Sequence, residues 1–336
     1  MNQSTSIISG EPGAEDPDDA PDVAPQVEMR ELLLAADAHG WRLDRAMVQA
    51  LPEFSRSYLQ QLIESDGVRV NDVLVRKPAA RVRCGARCQV ELRATAQSLA
   101  FRPEPMQLQV VFEDQHLLVV NKPAGLVVHP APGNWSGTLL NGLLARNAGA
   151  AQLPRAGIVH RLDKDTSGLM VVAQTRAVMA ALVQRIAARS VTRQYYALAH
   201  RPWSGPVARE IATPIGRDPR NRLRMAVVDL ARNSGKTAKT GFELLDNAPD
   251  GCWLRCSLHT GRTHQIRVHL ASIGHPLVAD ALYGGVALAG MSRQALHAYR
   301  LAFVHPVTGA ALDLQAPLPL DMLLLLQSWG LSYNQP

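Results

Sequence analysis

The chain is poor in several residues and patterns that usually announce a function. Only four of its 336 residues are cysteine, arranged as two C-x3-C pairs, Cys84/Cys88 and Cys252/Cys256. Zinc sites sometimes use that spacing. In Cys252-Trp253-Leu254-Arg255-Cys256-Ser257-Leu258, however, a period of two places Cys252, Leu254, Cys256 and Leu258 on one apolar strand face. Buried free thiols in a reducing cytosol are therefore expected. The chain has no Walker A loop, no Gly-x-Gly-x-x-Gly after a strand and no Gly-x-Ser-x-Gly elbow. Nucleotide hydrolysis, dinucleotide chemistry and serine esterase chemistry lose support accordingly. His259, His264 and His269 are spaced by five, a step of about 140° on a helix, which scatters them and speaks against a metal site. A reaction without metal, nucleotide or other cofactor is expected. The N-terminus lacks the basic and apolar regions of a secretory signal, and the apolar run near Leu318 to Leu326 is too short to cross a bilayer. A soluble, cytoplasmic protein without a membrane partner follows as the expectation.

Charge is what the chain has in excess, and it is unevenly spread. Residues 1–26 carry Glu11, Glu15, Asp16, Asp18, Asp19 and Asp22 and no Lys or Arg. With too little apolar content to fold, they are expected to form a disordered acidic tail. The rest of the chain sets all 35 basic residues against 23 acidic ones, a net of +12 where the whole chain shows +6. That excess suggests a polyanionic partner such as nucleic acid.

At this length two folded domains are expected. From Trp41, Leu43, Met47, Ala50 and Leu51 share a helical face, and after Pro52 a second helix with Leu59, Leu62 and Ile63 follows a Ser55 N-cap. Short strands then come at Val68–Val70, Val73–Val75 and, after Gly85, Cys88–Leu92. Residues 41–95 hold ten Lys or Arg against six Asp or Glu. The order helix, helix, Arg69-Val70-Asn71-Asp72-Val73-Leu74-Val75-Arg76-Lys77-Pro78 and a Gly-led strand resembles the S4 RNA-binding domain, which would give residues 41–95 an αL-type fold that holds RNA backbone. Residues 96–107, with Pro103 and Pro105, read as a linker.

A second domain is expected over residues 108–328. Strands are predicted at Leu108–Phe112 and Leu117–Val120, with a helix capped by Thr138 and another over residues 176–189. A strand over Tyr195–Ala199 and a helix capped by Thr263 are also predicted. Between them lies the stretch Ile158 to Ala173, two apolar runs around a polar core, which predicts strand, tight turn, strand. Asp163 and Asp165 sit in that turn, and on local grounds they are as readily carboxylates capping backbone N–H groups as catalytic ones. The stretch Arg217-Asp218-Pro219-Arg220-Asn221-Arg222-Leu223-Arg224 has four arginines in eight positions. It is predicted to be a loop in which Arg217, Arg220 and Arg222 grip phosphates.

His160-Arg161-Leu162-Asp163-Lys164-Asp165-Thr166-Ser167-Gly168 resembles the signature of the RluA/RluD-type pseudouridine synthases. Three further stretches agree in order: Asn121-Lys122-Pro123-Ala124-Gly125-Leu126-Val127-Val128-His129-Pro130, Arg193-Gln194-Tyr195, and Leu258 through His269. The resemblance implies an α+β catalytic domain, a bent, mainly antiparallel mixed sheet with flanking helices and a central cleft. It also implies isomerisation of uridine to pseudouridine in RNA, nearest to the branch acting on the 23S rRNA of the large ribosomal subunit, by a monomer that uses no cofactor. Asp163 matches the catalytic aspartate. Arg267 matches the arginine that keeps it ionised, and Tyr195 the tyrosine that stacks on the base. Arg161 would fill the space left by a flipped uridine, with ion pairing to Asp165 as its alternative. His160, Arg262 and Thr166 would line the RNA site, Thr166 as part of the turn that Gly168 permits. The family's usual lysine and glycine are replaced by Arg193 and Ala279, the latter expected to lie away from the chemistry. A non-catalytic RNA-binding or ribosome-assembly factor on the same scaffold is the competing reading.

Overall fold

The computed structural model describes residues 28–93, 95, 100–131, 133–221 and 224–333. The acidic segment 1–26 and Arg222 lie outside the described residues. The chain divides into two compact units, Met1–Ser98 and Leu99–Pro336.

The first unit holds β1 (Glu28–Leu33), α1 (Leu43–Ala50), α2 (Arg56–Glu64), β2 (Val68–Val70), β3 (Val73–Leu74) and β4 (Arg87–Leu92). The Ser55 hydroxyl accepts the Tyr58 N–H and caps α2, and Leu43, Met47, Leu59, Leu62 and Ile63 close over Val68, Cys88 and Val90. The unit begins earlier than Trp41: β1 pairs antiparallel with β4 along its whole length. Its exposed residues Met29 and Leu33 give it no apolar face strong enough to announce a strand. Not all of the basic excess is free for RNA. The fully buried carboxylate of Asp44 takes Arg42 and Arg56, each at 3.0 Å.

The second unit is built on a nine-stranded sheet. Its strands are β5 (Gln109–Glu113), β6 (Leu117–Lys122), β7 (Ser167–Ala173), β8 (Thr192–His200), β9 (Ala208–Ile211), β13 (Thr240–Ala248), β14 (Gly251–Leu258), β15 (Leu296–Val304) and β16 (Ala311–Gln315), in the order β5-β6-β7-β15-β8-β14-β13-β9 with β16 beside β15. Every pairing is antiparallel except the short β7·β15 contact, so the sheet is mixed and mainly antiparallel. Register shifts in β5, β13 and β15 are bulges, which bend strands and sharpen twist. The helices α3 (Leu139–Arg146), α4 (Arg176–Ala187), α5 (Gln265–Ser272) and α6 (Leu320–Ser328) flank the sheet. A small separate sheet joins β10 (Ile215–Arg217), β11 (Met225–Val227) and β12 (Gly235–Lys236).

Period two sorts the side chains. Tyr195, Ala197 and Ala199 of β8 meet Cys252, Leu254 and Cys256 of β14 on one face, and Tyr196, Leu198 and Trp253 face the other. Both cysteines of β14 are buried free thiols, as their alternation predicts. Tyr196 stacks on Tyr299 with ring centroids 3.7 Å apart, so the two adjacent tyrosines serve opposite sides of the sheet. Thr138 caps α3 in a capping box with Asn141.

Two local expectations fail. The stretch before Asp163 is not a strand, since Ile158 makes only an isolated bridge to Val172. Beyond it the imidazole of His160 takes over a partner's hydrogen bond, its Nε2 accepting the Val171 N–H at 3.1 Å. Nor does Thr263 cap α5. The residue before that helix is His264, in the left-handed region at φ 56° with no capping bond, and the Gln265 side chain accepts the Arg262 N–H instead.

Candidate active site

Asp163 lies in the loop that enters β7, and the loop is held from behind by residues far away in the chain. The Thr166 N–H donates to the Asp163 carbonyl at 3.1 Å, closing a tight turn. Gly168, at φ 117°, packs so closely that an added Cβ would stand 2.3 Å from the Ala298 carbonyl oxygen. No other residue fits there. Ser167 Oγ is 2.9 Å from His297 Nδ1, Arg293 donates to the Asp165 carbonyl at 3.0 Å, and Gln294 donates to Thr166 Oγ1 at 3.3 Å.

Lys122, the lysine of the Asn121–Pro130 stretch, is only 1% exposed. Its ammonium donates to the carbonyls of Pro123, Leu126 and Lys164 at 2.8–2.9 Å, so it clamps the residue next to Asp163. Burial pushes its pKa down to about 7 against the opposing charges of Asp165 and Asp163. In Lys122→Met the three carbonyls lose their shared donor. We expect a loss of about 2–4 kcal/mol of stability by urea unfolding together with slower turnover, and wild-type values for both would refute the clamp.

Among the described residues the Asp163 carboxylate caps no backbone group. Its Oδ2 accepts from Arg267 Nη1 at 3.1 Å, and its Oδ1 stands 4.0 Å from His264 Nε2. Arg267 is itself anchored: its Nε and Nη2 both donate at 2.8 Å to Asp280, a bidentate grip. Burial alone would lower the Arg267 pKa, but the hydrogen bonds and charges of Asp280 and Asp163 hold it above the ordinary arginine value. The Tyr283 ring covers the guanidinium at 5.1 Å. Asp280 and Tyr283 escaped the sequence reading, which placed Ala279 away from the chemistry. Ala279 is the immediate neighbour of Asp280 and holds φ 59°, the left-handed conformation that suits a glycine.

A cleft of about 700 Å³ opens over Asp163. Arg155, Arg161, Arg189, Arg193 and Arg262 line it, and among the described residues Asp163 is the single acidic side chain of its wall. His160, Thr166 and Tyr195 line it as well. Tyr195 is 5% exposed, and burial pushes its phenol up to about 12, so it offers a protonated aromatic plane. Arg161 is exposed and makes no ion pair among the described residues. Arg193 is 7% exposed with its Nε buried and unpartnered among the described residues. Arg155 and Arg189 were missed because both hold positive φ in segments without a readable motif. Phe101, within the expected linker, also lines the cleft.

The arginine-rich stretch leaves the small sheet from the end of β10. Arg217 ends β10 opposite Met225, the first residue of β11. Arg224 is tied to Asp218 at 2.6 Å, and Arg217 and Arg220 do not line the cleft.

Burial also makes the site acid-sensitive. It pushes His160 down to about 3 and His297 down to about 4. Each is neutral in the fold while the unfolded chain takes up a proton near pH 6.5. The unfolded state then binds more protons, and stability falls as pH drops below 6.5, by at most about 1.4 kcal/mol per pH unit for each group. Thermal unfolding midpoints recorded from pH 7 to pH 5 should decline, and His297→Asn should flatten the decline. A flat wild-type profile would rule this out.

Comparison with known proteins agrees with this geometry. The pattern described as RNA pseudouridylate synthase matches residues 116–272, and the S4 domain pattern matches residues 41–88. Ribosomal large subunit pseudouridine synthase D of Neisseria meningitidis serogroup B is 48% identical over 309 residues, 88% of this chain and 80% of that protein. The protein of the same name from Nitrosomonas europaea is 45% identical over 308 residues, 89% of this chain and 87% of the other. Among solved structures, human RNA Pseudouridylate Synthase Domain Containing 4 superposes with a TM-score of 0.52 at 24% identity, over 67% of this chain and 94% of that one, a likeness of fold. Such identity over most of both chains, with one pattern falling on the unit that carries Asp163 and the other on the unit before it, means that the chain belongs to the RNA pseudouridylate synthase family, enzymes that isomerise uridine to pseudouridine in RNA.

Proposed function

We propose that this protein modifies uridines in the RNA of the large ribosomal subunit, 23S rRNA, with Asp163 as the catalytic carboxylate. The observation that carries the assignment of the site is the lone carboxylate in a wall of guanidiniums, held by an arginine that is itself locked to a buried aspartate. The arginines attract the RNA backbone, and Arg267 holds the Asp163 carboxylate in place through its Nη1 at 3.1 Å. The Tyr195 ring supplies the plane on which a freed uracil can turn. Arg161, exposed at the cleft and without an ion pair among the described residues, is placed to occupy the gap that a flipped nucleotide leaves.

In the isomerisation the N1–C1′ bond breaks and a C5–C1′ bond forms, C5 losing the proton for which N1 gains one. No electrons are gained or lost overall, so the chemistry calls on no redox cofactor. Asp163 acts on the ribose or the base as nucleophile, or takes a ribose proton. His160 contributes from the cleft wall with its remaining ring edge, because its Nε2 already holds Val171. Arg262 and Thr166 line the same wall. Arg217, Arg220 and Arg222 add further grip on RNA backbone, as does the S4 unit. We read the protein as a cytoplasmic monomer, and no helix among the described residues is long and apolar enough to cross a membrane.

The test is to incubate the protein with rRNA from cells lacking the enzyme and to map pseudouridine by chemical labelling. New pseudouridine should appear in large-subunit RNA and not in small-subunit RNA. No new pseudouridine anywhere would overturn the catalytic reading in favour of a binding factor, and modification of small-subunit RNA alone would overturn the substrate.

A further inference from the structure

Two hydrogen bonds lead from the small sheet to an imidazole beside Asp163, and the reaction, as described so far, does not use them. The Met225 N–H, in the strand that leaves the arginine-rich stretch, donates to the Tyr283 hydroxyl at 3.0 Å. That hydroxyl is 2.8 Å from His264 Nδ1. The far nitrogen of the same ring, Nε2, stands 4.0 Å from Asp163 Oδ1.

The direction of these bonds follows from proton bookkeeping. Burial raises the Tyr283 pKa, so the phenol keeps its proton. Its oxygen already accepts from Met225, and its own O–H is therefore left to donate. The acceptor within reach is His264 Nδ1. Burial also lowers the His264 pKa, which leaves the ring neutral with one N–H. With Nδ1 accepting, that N–H is on Nε2, the nitrogen turned toward Asp163. Arg267 holds the other carboxylate oxygen, Oδ2, so the two oxygens of Asp163 face two different donors. At 4.0 Å the imidazole is too far for a direct bond, but it can share a water or a substrate hydroxyl with Oδ1.

His264 also has a backbone reason to stay where it is, at φ 56° directly before α5. The Tyr283 ring packs edge-on to it, with centroids 5.7 Å apart. From these contacts we propose that Tyr283 and His264 form a positioning relay, in which the Tyr283 hydroxyl fixes the Nε2–H form of His264 so that it orients Oδ1 of Asp163, and which ties that orientation to the strand after the arginine-rich stretch. The inference rests on Asp163 being the catalytic carboxylate.

Tyr283→Phe tests it, because the phenyl ring keeps its place over Arg267 and only the hydroxyl is lost. The expected result is a roughly tenfold lower kcat with KM for the RNA within about twofold of wild type. In an His264→Asn background, where asparagine tolerates the left-handed backbone, the same change should cost nothing further, since residues acting through one another are not additive. Histidine nitrogen shifts in labelled protein should report Nε2–H for His264 in the wild type and a mixed form in Tyr283→Phe. An unchanged kcat, a fully additive double variant, or an Nδ1–H ring in the wild type would each overturn the relay. Asp163→Asn run in parallel separates the two ideas. If it retains activity, the reading of the site fails; if it is inactive while Tyr283→Phe is normal, only the relay fails.

Discussion

Asp163→Asn should fold normally and lose turnover by on the order of 10³–10⁵-fold, equivalent to roughly 4–7 kcal/mol of barrier at 1.36 kcal/mol per tenfold. The amide keeps the shape of the side chain and can still accept from Arg267, so neither the Lys122 clamp nor the Arg267–Asp280 pair needs to move. What disappears is the negative charge and with it the capacity to attack or to take a proton. The measurement is single-turnover formation of pseudouridine on a large-subunit rRNA fragment, with binding followed separately. Binding should hold or tighten slightly, because a cleft lined by arginines loses little attraction for RNA when its one carboxylate is neutralised. A variant that turns over within tenfold of wild type would remove Asp163 from the chemistry.

Arg267→Met should be the most damaging single change for stability and activity together. The guanidinium is the only side chain bonded to Asp280 among the described residues, and the Asp280 side chain is 1% exposed. Removing one member of such a buried pair strands a charge, at a cost of about 3–5 kcal/mol. Activity should fall as well, because Asp163 loses the donor that holds its Oδ2. The two effects can be separated. Adding Asp280→Asn to Arg267→Met removes the stranded charge and should restore much of the stability by urea unfolding while activity stays low. If the double variant recovers both, Arg267 is only structural; if the single variant is as stable as wild type, the buried network carries no weight.

How much of this was readable beforehand depends on how local each cause is. Ser55 and Thr138 announced their helices because a cap acts within one turn, and Cys252, Leu254 and Cys256 were assigned to one face because a strand alternates by geometry. Asp163 was readable through the company of its motif. The residues that hold the site together were not. Asp280 bonds Arg267 across thirteen positions, Tyr283 reaches His264 across nineteen, and Arg293 reaches Asp165 across 128. No periodicity links such partners. Lys122 and Arg293 work through backbone carbonyls, which every residue carries, so the sequence around a carbonyl says nothing about who will use it. The expected strand before Asp163 failed for a related reason, since an imidazole supplied the acceptor that a backbone would otherwise have offered.

The contact of β7 with β15 has a consequence for the order of events during synthesis. Only His297↔Ser167 and Ala298↔Gly168 are paired, yet these two rungs, with Arg293 and Gln294 just before them, seat the loop that carries Asp163. Closing a loop of about 130 residues is slow relative to forming hairpins and helices. A nascent chain that has released Asp163, Tyr195 and Arg267 from the ribosome still lacks the strand that sets the carboxylate in place. The loop that carries Asp163 therefore takes its seat only after β15 has left the ribosome and closed onto β7.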